Sequence, residues 1–99
     1  MSVEMDIIIP LEIVHDVRLE PRARLLYGVL FTMAKDFGYC VPTNRELSFH
    51  LCASEGRVSH LLGRLESFGY IKREMVYEPD TRELLERKLH LTKQPWTKG

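Results

Sequence analysis

Apolar residues recur at helical spacing in three separate stretches of the chain. The first stretch begins at Pro21, which suits a first helical turn because its missing N–H has no partner there. Its apolar positions are Leu25, Leu26, Tyr27, Val29, Leu30, Phe31, Met33 and Ala34. So broad an apolar face predicts a helix covered on several sides, the central helix of a small domain, with Gly38 as its end.

The next two stretches predict a pair of short helices joined by a tight turn. Thr43 and Glu46 have the spacing of a capping box, in which each side chain accepts the backbone N–H of the other residue. Leu47 and Leu51 follow one turn apart on the inner face of this helix. Ser54 is a good N-cap for the helix after the turn. That helix has its apolar positions at Val58, Leu61, Leu62, Leu65 and Phe68, and its expected end is Gly69.

Short segments with strand character lie on both sides of these helices. Residues 70–76 predict one strand, residues 78–81 a turn containing Pro79, and residues 87–92 a returning strand with alternating polar and apolar positions. Leu84 and Leu85 break the alternation, so the start of the returning strand stays open. Residues 39–41 predict a short extended link, residues 6–10 an extended segment, and residues 11–17 one or two helical turns.

This order of elements predicts a mainly α fold with a small β wing, an α+β winged helix-turn-helix. Two helices joined by about three residues are helix-turn-helix geometry, and the hairpin that follows would be the wing. We expect a three-helix core with a two- or three-stranded antiparallel sheet. Residues 1–20 are interpreted as an N-terminal arm, residues 21–92 as the domain and residues 93–99 as a tail in which only Trp96 has much to bury.

Composition bounds the class of protein. The chain has 99 residues, enough for one small domain, and lacks any apolar run long enough to span a bilayer, so we expect a cytoplasmic protein without membrane association. Cys40 and Cys52 do not form a disulfide framework and are expected to be small buried apolar groups. With no catalytic motif, no ligand pocket and no paired metal-binding spacing, we expect no enzyme activity, cofactor or metal.

Charge argues against simple electrostatic binding to nucleic acid. The formal net charge is +0, whereas DNA-binding modules usually carry a basic excess. The distribution is uneven: up to residue 20 the only base is Arg18, and the acids are Glu4, Asp6, Glu12, Asp16 and Glu20. An acidic arm before a mildly basic domain is compatible with either a DNA or a protein partner.

The residues from Leu47 to Ile71 resemble the winged helix-turn-helix pattern of many bacterial regulators. The wider set of Ile9-Pro10, residues 21–27 and residues 38–44, with the closing residues 91–96, is similar to the N-terminal domain of phage and plasmid replication initiators (replisome organizers) of Gram-positive bacteria. The resemblance implies double-stranded DNA as partner, a homodimer, and contacts with a helicase or its loader. Cys52 and Glu55 depart from the pattern, which often has glycine and a base at these positions.

The resemblance also implies a set of DNA-binding residues. They comprise the starts of the second and third helices, the outward face of the third helix and the wing: Thr43, Asn44, Arg45, Ser54, Glu55, Arg57, Ser59, His60, Arg64, Lys72, Arg73, Arg82 and Lys88. Glu55 would either accept from a cytosine amino group or repel DNA. For the wing bases, cross-strand pairing with nearby acids is the alternative.

Two other functions use the same fold. A protein-interaction or oligomerisation module, as in primosomal DnaD-like proteins, is favoured by charge neutrality and Glu55. A small transcription regulator shares the DNA chemistry. A cluster of exposed aromatic residues with Met75 would mark an interface, and the candidates are Phe49, Phe68, Tyr77 and Trp96.

Overall fold

The computed structural model describes residues 6–92. The elements in chain order are α1 (Leu11–Val14), α2 (Pro21–Met33), β1 (Tyr39–Cys40), α3 (Asn44–Leu51), α4 (Glu55–Ser67), β2 (Ile71–Tyr77) and β3 (Leu84–Leu91). The fold is the expected α+β winged helix-turn-helix, with a three-stranded antiparallel sheet. The expected tail, with Trp96, lies outside the described residues. Within those residues, no helix is both long enough and apolar enough to cross a membrane.

Helix α2 is the central helix, as its broad apolar face predicts. It buries eight of its 13 residues, including Leu26, Tyr27 and Leu30. The expected end at Gly38 was wrong, because the helix stops at Met33. Lys35, Asp36 and Phe37 after Ala34 are exposed and add nothing to the buried face of the helix. Gly38 instead closes the following turn, with φ of 80° and its N–H 2.7 Å from the Ala34 carbonyl oxygen.

Helices α3 and α4 form the predicted helix-turn-helix. The Thr43 Oγ1 accepts from the Glu46 N–H at 3.1 Å, and Glu46 Oε1 accepts from the Thr43 N–H at 3.1 Å, which confirms the capping box. Cys52 ends α3 in the left-handed conformation, with φ of 51°. This sharp turn lets Leu47 and Leu51 of α3 enter the same core as the inner face of α4.

The sheet has the strand order β1-β3-β2. Ile71 pairs with Leu91, and Arg73 pairs with Leu89, so the strand ends nearest the helices contribute Ile71, Leu89 and Leu91 to the core. β3 begins at Leu84, and a shift of register between Val76 and Tyr77 accompanies the break in alternation near Leu84 and Leu85. The predicted extended link at residues 39–41 is partly a strand, since Tyr39 and Cys40 pair with β3.

Residues 6–20, interpreted from the sequence as an arm, pack against the domain. Ile13 and Leu19 are fully or almost fully buried in the core. A Cβ on Gly28 of α2 would lie 2.6 Å from a side-chain carbon of Ile9, so this glycine permits the close approach of the N-terminal segment. The Ile8 N–H donates to Thr32 Oγ1 at 3.1 Å and fixes the segment along α2.

The two cysteines differ from each other. Cys40 is buried, as expected, and burial raises the pKa of its thiol to about 12. The expectation that Cys52 is buried was wrong, because Cys52 is exposed. Its position in the turn between α3 and α4 directs the side chain away from the core. Among residues 6–92, no three His, Cys, Asp or Glu side chains lie close enough together to hold a metal ion.

Candidate nucleic-acid interface

Helix α4 is packed against the core on one side and exposed on the other. Ser54 caps it by accepting the Arg57 N–H at 3.0 Å, which confirms the predicted start. The chain leaves the helix through Gly69, whose φ of 81° allows the reversal into β2. The inner face is inaccessible to solvent, with 0% exposure at Val58, Leu61, Leu62 and Leu65. The opposite face is therefore a fixed surface that is open to a partner.

The outward face of α4 has a central crest and two unlike flanks. Helical spacing puts Gly56, His60, Gly63 and Ser67 on the crest. The same spacing puts Arg57 and Arg64 on one flank, and Glu55, Ser59 and Glu66 on the other. Apart from Gly63 and Glu66, which are half-buried, these outward residues are exposed. One flank is consequently basic, and the other is acidic.

The basic flank contacts the segment before α2. Arg57 forms an ion pair with Glu20, and the Arg64 guanidinium lies 5.0 Å from the centre of the Phe68 ring. Arg18 lies over the same ring at 4.4 Å. The sequence interpretation missed Arg18 and Glu20 here. Local pattern gave no signal beyond their charges, because both meet α4 only after the chain has folded.

The same segment is fastened to the start of the sheet by a buried carboxylate. Asp16 accepts from the Tyr70 hydroxyl at 2.5 Å, from Arg18 Nη2 at 2.7 Å and from Arg18 Nε at 2.9 Å. The Arg18 guanidinium, followed by the Tyr70 hydroxyl, holds the pKa of Asp16 far below its usual range. The side chain of Asp16 is only 8% exposed. This contact positions residues 16–20 beside α4.

On the acidic flank, Arg73 of the wing is engaged with α4. Its Nη2 and Nε donate to Glu66 Oε1 at 2.6 and 2.9 Å. The Arg73 contact holds the pKa of Glu66 below its ordinary value. Arg73 therefore joins the wing to α4, and a phosphate would have to compete with Glu66 for this guanidinium.

The start of α3 is also occupied by internal contacts. Thr43 is committed to the capping box, and Asn44 Oδ1 accepts from Arg87 Nη1 at 2.7 Å. Arg87 also donates to the Pro42 carbonyl at 2.8 Å. Burial lowers the pKa of Arg87. Of the predicted residues at this helix start, Thr43 and Arg45 are exposed and Asn44 is half-buried.

The outer face of the wing mixes bases and acids. Across the strands Lys72 is opposite His90, and Glu74 is opposite Lys88. His90 Nε2 is 2.8 Å from Glu74 Oε1, and this contact keeps the pKa of Glu74 below its ordinary value. Lys88 lies 4.9 Å from the centre of the Tyr39 ring. Cross-strand contacts therefore partly offset the wing bases, whereas Arg82 is exposed in the turn at the wing tip.

An apolar groove lies between the wing and the start of α3. It has a volume of about 390 Å³ and is bordered by Val41, Met75, Leu84 and Leu85, which are 48%, 42%, 54% and 60% exposed. The exposed side chains that cluster with Met75 in this groove are aliphatic rather than aromatic. Among the aromatic candidates, Phe49 is exposed on α3 and Phe68 is half-buried beneath two arginines.

A capped helix pair, an exposed second helix and a three-stranded sheet define a small protein of the winged helix-turn-helix class. A model of the helix-turn-helix domain family matches residues 17–71, more than half of the chain, and the protein therefore belongs to this family. Membership supports DNA binding. Searches of curated proteins and of solved structures found no match.

Proposed function

We propose that this protein binds duplex DNA by inserting the outward face of α4 into the major groove. The observation that carries the proposal is the two-sided character of α4, with four fully buried side chains inside and Arg57, His60 and Arg64 exposed outside. The major groove is about 12 Å wide and admits a helix presented in this way. A rigid inner face supports recognition because it fixes the position of the outer side chains.

The contacts of the predicted residues suggest unequal roles. Arg57 and Arg64 are proposed to bind phosphate or guanine, while Ser59, His60 and Glu55 face the bases. Arg45, Lys72, Arg82 and Lys88 are proposed to contact the backbone. The side chains of Thr43, Asn44, Ser54 and Arg73 have internal hydrogen bonds. Their proposed part is to hold the helix starts and the wing in place.

Charge neutrality favours binding as a dimer. With a net charge of +0, a single domain gains little from counterion release. A homodimer on half-sites roughly 34–36 Å apart doubles the contacts. Light scattering across a range of protein concentrations, with and without duplex, measures the oligomeric state. A monomer bound singly to DNA would contradict the dimer.

We further propose a role in phage or plasmid replication initiation in the cytoplasm, without catalysis, in which the protein binds origin repeats and contacts a helicase or its loader. The motif resemblance supports this role. A transcription regulator would use the same surface of α4. Genome-wide binding-site mapping separates the two: origin repeats support initiation, and promoter operators support regulation.

The direct test is salt-titrated binding to random and candidate-origin duplexes. We expect Arg57→Ala and Arg64→Ala to weaken binding, and we expect Arg64→Ala to lower the salt slope by about 1. Both side chains are on the surface, so melting temperatures should change little. The matched control is Lys35→Ala, which removes a base exposed beyond the other end of α2. Undetectable binding by the wild type at low salt would remove the proposal.

A protein-interaction role is the second candidate, and the apolar groove beside Met75 favours it. Leu85→Ser would make this groove more polar at an exposed position and should preserve the fold. If this change abolishes self-association but leaves DNA binding intact, the groove is a protein interface. A wild type that stays monomeric at high concentration would exclude the self-association form.

A further inference from the structure

The Glu20 carboxylate makes an unusual contact for a side chain at a helix N-cap. Glu20 precedes Pro21 at the N-cap position of α2, where a short Asp, Asn, Ser or Thr side chain ordinarily accepts an N–H of the first turn. Here the Glu20 side chain makes no capping hydrogen bond. Its carboxylate instead reaches a residue 37 positions later, Arg57 on the basic flank of α4. The contact thus joins the segment before α2 to the outward face of α4.

The position of this contact is held from both sides. Asp16 and Arg18 fasten the preceding segment to Tyr70, and the backbone carbonyl of Glu20 accepts the N–H groups of Ala23 and Arg24. At the other end, the backbone of Arg57 is fixed by the Ser54 cap. The Glu20 and Arg57 side chains remain 36% and 41% exposed. A phosphate can therefore reach the guanidinium, but it meets a carboxylate already there.

We propose that Glu20 is an intramolecular competitor for the phosphate that Arg57 would bind, so that it weakens the DNA affinity of this domain. The inference rests on the proposed DNA binding by α4. A phosphate oxygen and a carboxylate oxygen make the same charge-assisted hydrogen bonds to a guanidinium, and binding of one displaces the other. Glu20 thereby lowers the non-specific part of the affinity, which comes from phosphate contacts, more than it lowers the sequence-specific part, which comes from contacts to base edges.

The size of the effect follows from counterion release. One added phosphate contact steepens the dependence of log affinity on log salt by about 0.9. Glu20→Gln keeps the shape of the side chain and removes its charge. We expect this variant to bind a random-sequence duplex roughly three- to tenfold more tightly than the wild type at about 50 mM salt. Its melting temperature should be nearly unchanged, since exposed ion pairs contribute little to stability.

The experiment is a double-mutant cycle of Glu20→Gln and Arg57→Gln, measured by salt-titrated binding to random and candidate-origin duplexes. The control is Asp36→Asn, which removes one exposed negative charge beyond the far end of α2. That helix is about 20 Å long, roughly two Debye lengths at 0.1 M salt. We expect less than a twofold effect from the control, and a gain from Glu20→Gln that disappears when Arg57 is already Gln.

The outcomes separate this inference from the proposed function. If the wild type binds duplex but Glu20→Gln gains no more than the control, or binds more weakly, the competitor role is overturned while DNA binding stands. A gain that persists in the Arg57→Gln background would show a general charge effect and also overturn it. If neither the wild type nor Glu20→Gln binds any duplex at low salt, both ideas fail.

Discussion

Replacing Asp16 by Asn should destabilise the protein more than an ordinary surface substitution does. The Asp16 carboxylate ties the segment before α2 to Tyr70 at the start of the sheet, through a hydroxyl contact of 2.5 Å. Asn keeps the shape of the side chain but loses the charge and one acceptor oxygen. The substitution therefore tests the charge itself, with little change in packing.

The magnitude follows from the partners of the carboxylate. A hydrogen bond to a charged group contributes about 1.5–3 kcal/mol, compared with about 0.5–1.5 kcal/mol for a neutral one. The Arg18 part is discounted because the side chain of Arg18 is 51% exposed. We expect Asp16→Asn to lower the free energy of unfolding by about 2 kcal/mol. For a domain of this size, that lowers Tm by roughly 8–16 °C.

The pH dependence gives a second measure of the same contact. The folded-state pKa of Asp16 lies below the unfolded value of about 3.9. The charged carboxylate therefore stabilises the fold fully above the unfolded pKa, and this contribution is lost as pH falls through the folded pKa. The stability difference between wild type and Asp16→Asn should be constant at neutral pH and shrink below about pH 4. Other carboxylates titrate in both proteins, so their contributions cancel in the stability difference.

Urea unfolding followed by circular dichroism measures both effects. Tyr70→Phe, which removes the donor, completes a double-mutant cycle with Asp16→Asn, and we expect a coupling of about 1 kcal/mol. A loss under about 0.5 kcal/mol, which is ordinary for a surface substitution, would refute the reasoning. So would a difference that stays the same from neutral pH to about pH 3.

Three further predictions concern helix packing, capping and thiol exposure. Gly63→Ala should stabilise the protein by roughly 0.8–1.0 kcal/mol, because a Cβ there meets no other heavy atom within 4 Å. Gly28→Ala should destabilise the protein, since its Cβ would lie 2.6 Å from a side-chain carbon of Ile9. Equal Tm shifts for the two glycine variants would contradict this contrast. Ser54→Ala should cost about 1 kcal/mol through loss of the α4 cap, and urea unfolding with an unchanged midpoint would contradict the assignment. An aromatic disulfide reagent should modify Cys52 in the native protein but Cys40 only after unfolding, because Cys40 is buried and the pKa of its thiol is raised to about 12. Rapid release of two thiol equivalents under native conditions would show that this burial is incorrect.

The sequence by itself determined the local elements that present the candidate site. The capping box of Thr43 and Glu46 and the Ser54 cap involve residues three positions apart, so their partners can be read from spacing alone. The buried face of α4 also follows from helical periodicity. Its complement, the exposed face with Arg57 and Arg64, was therefore predictable as well.

Only the tertiary structure decided what the charged side chains contact. Glu20 and Arg57 are 37 positions apart, and Asp16 and Tyr70 are 54 apart. Periodicity shows which way a side chain points from its own element, but not which element lies opposite. For the same reason the sequence pattern predicted that Cys52 is buried, although the turn directs its side chain to solvent. The tertiary contacts thus determine which basic residues stay free for a partner and which are already neutralised.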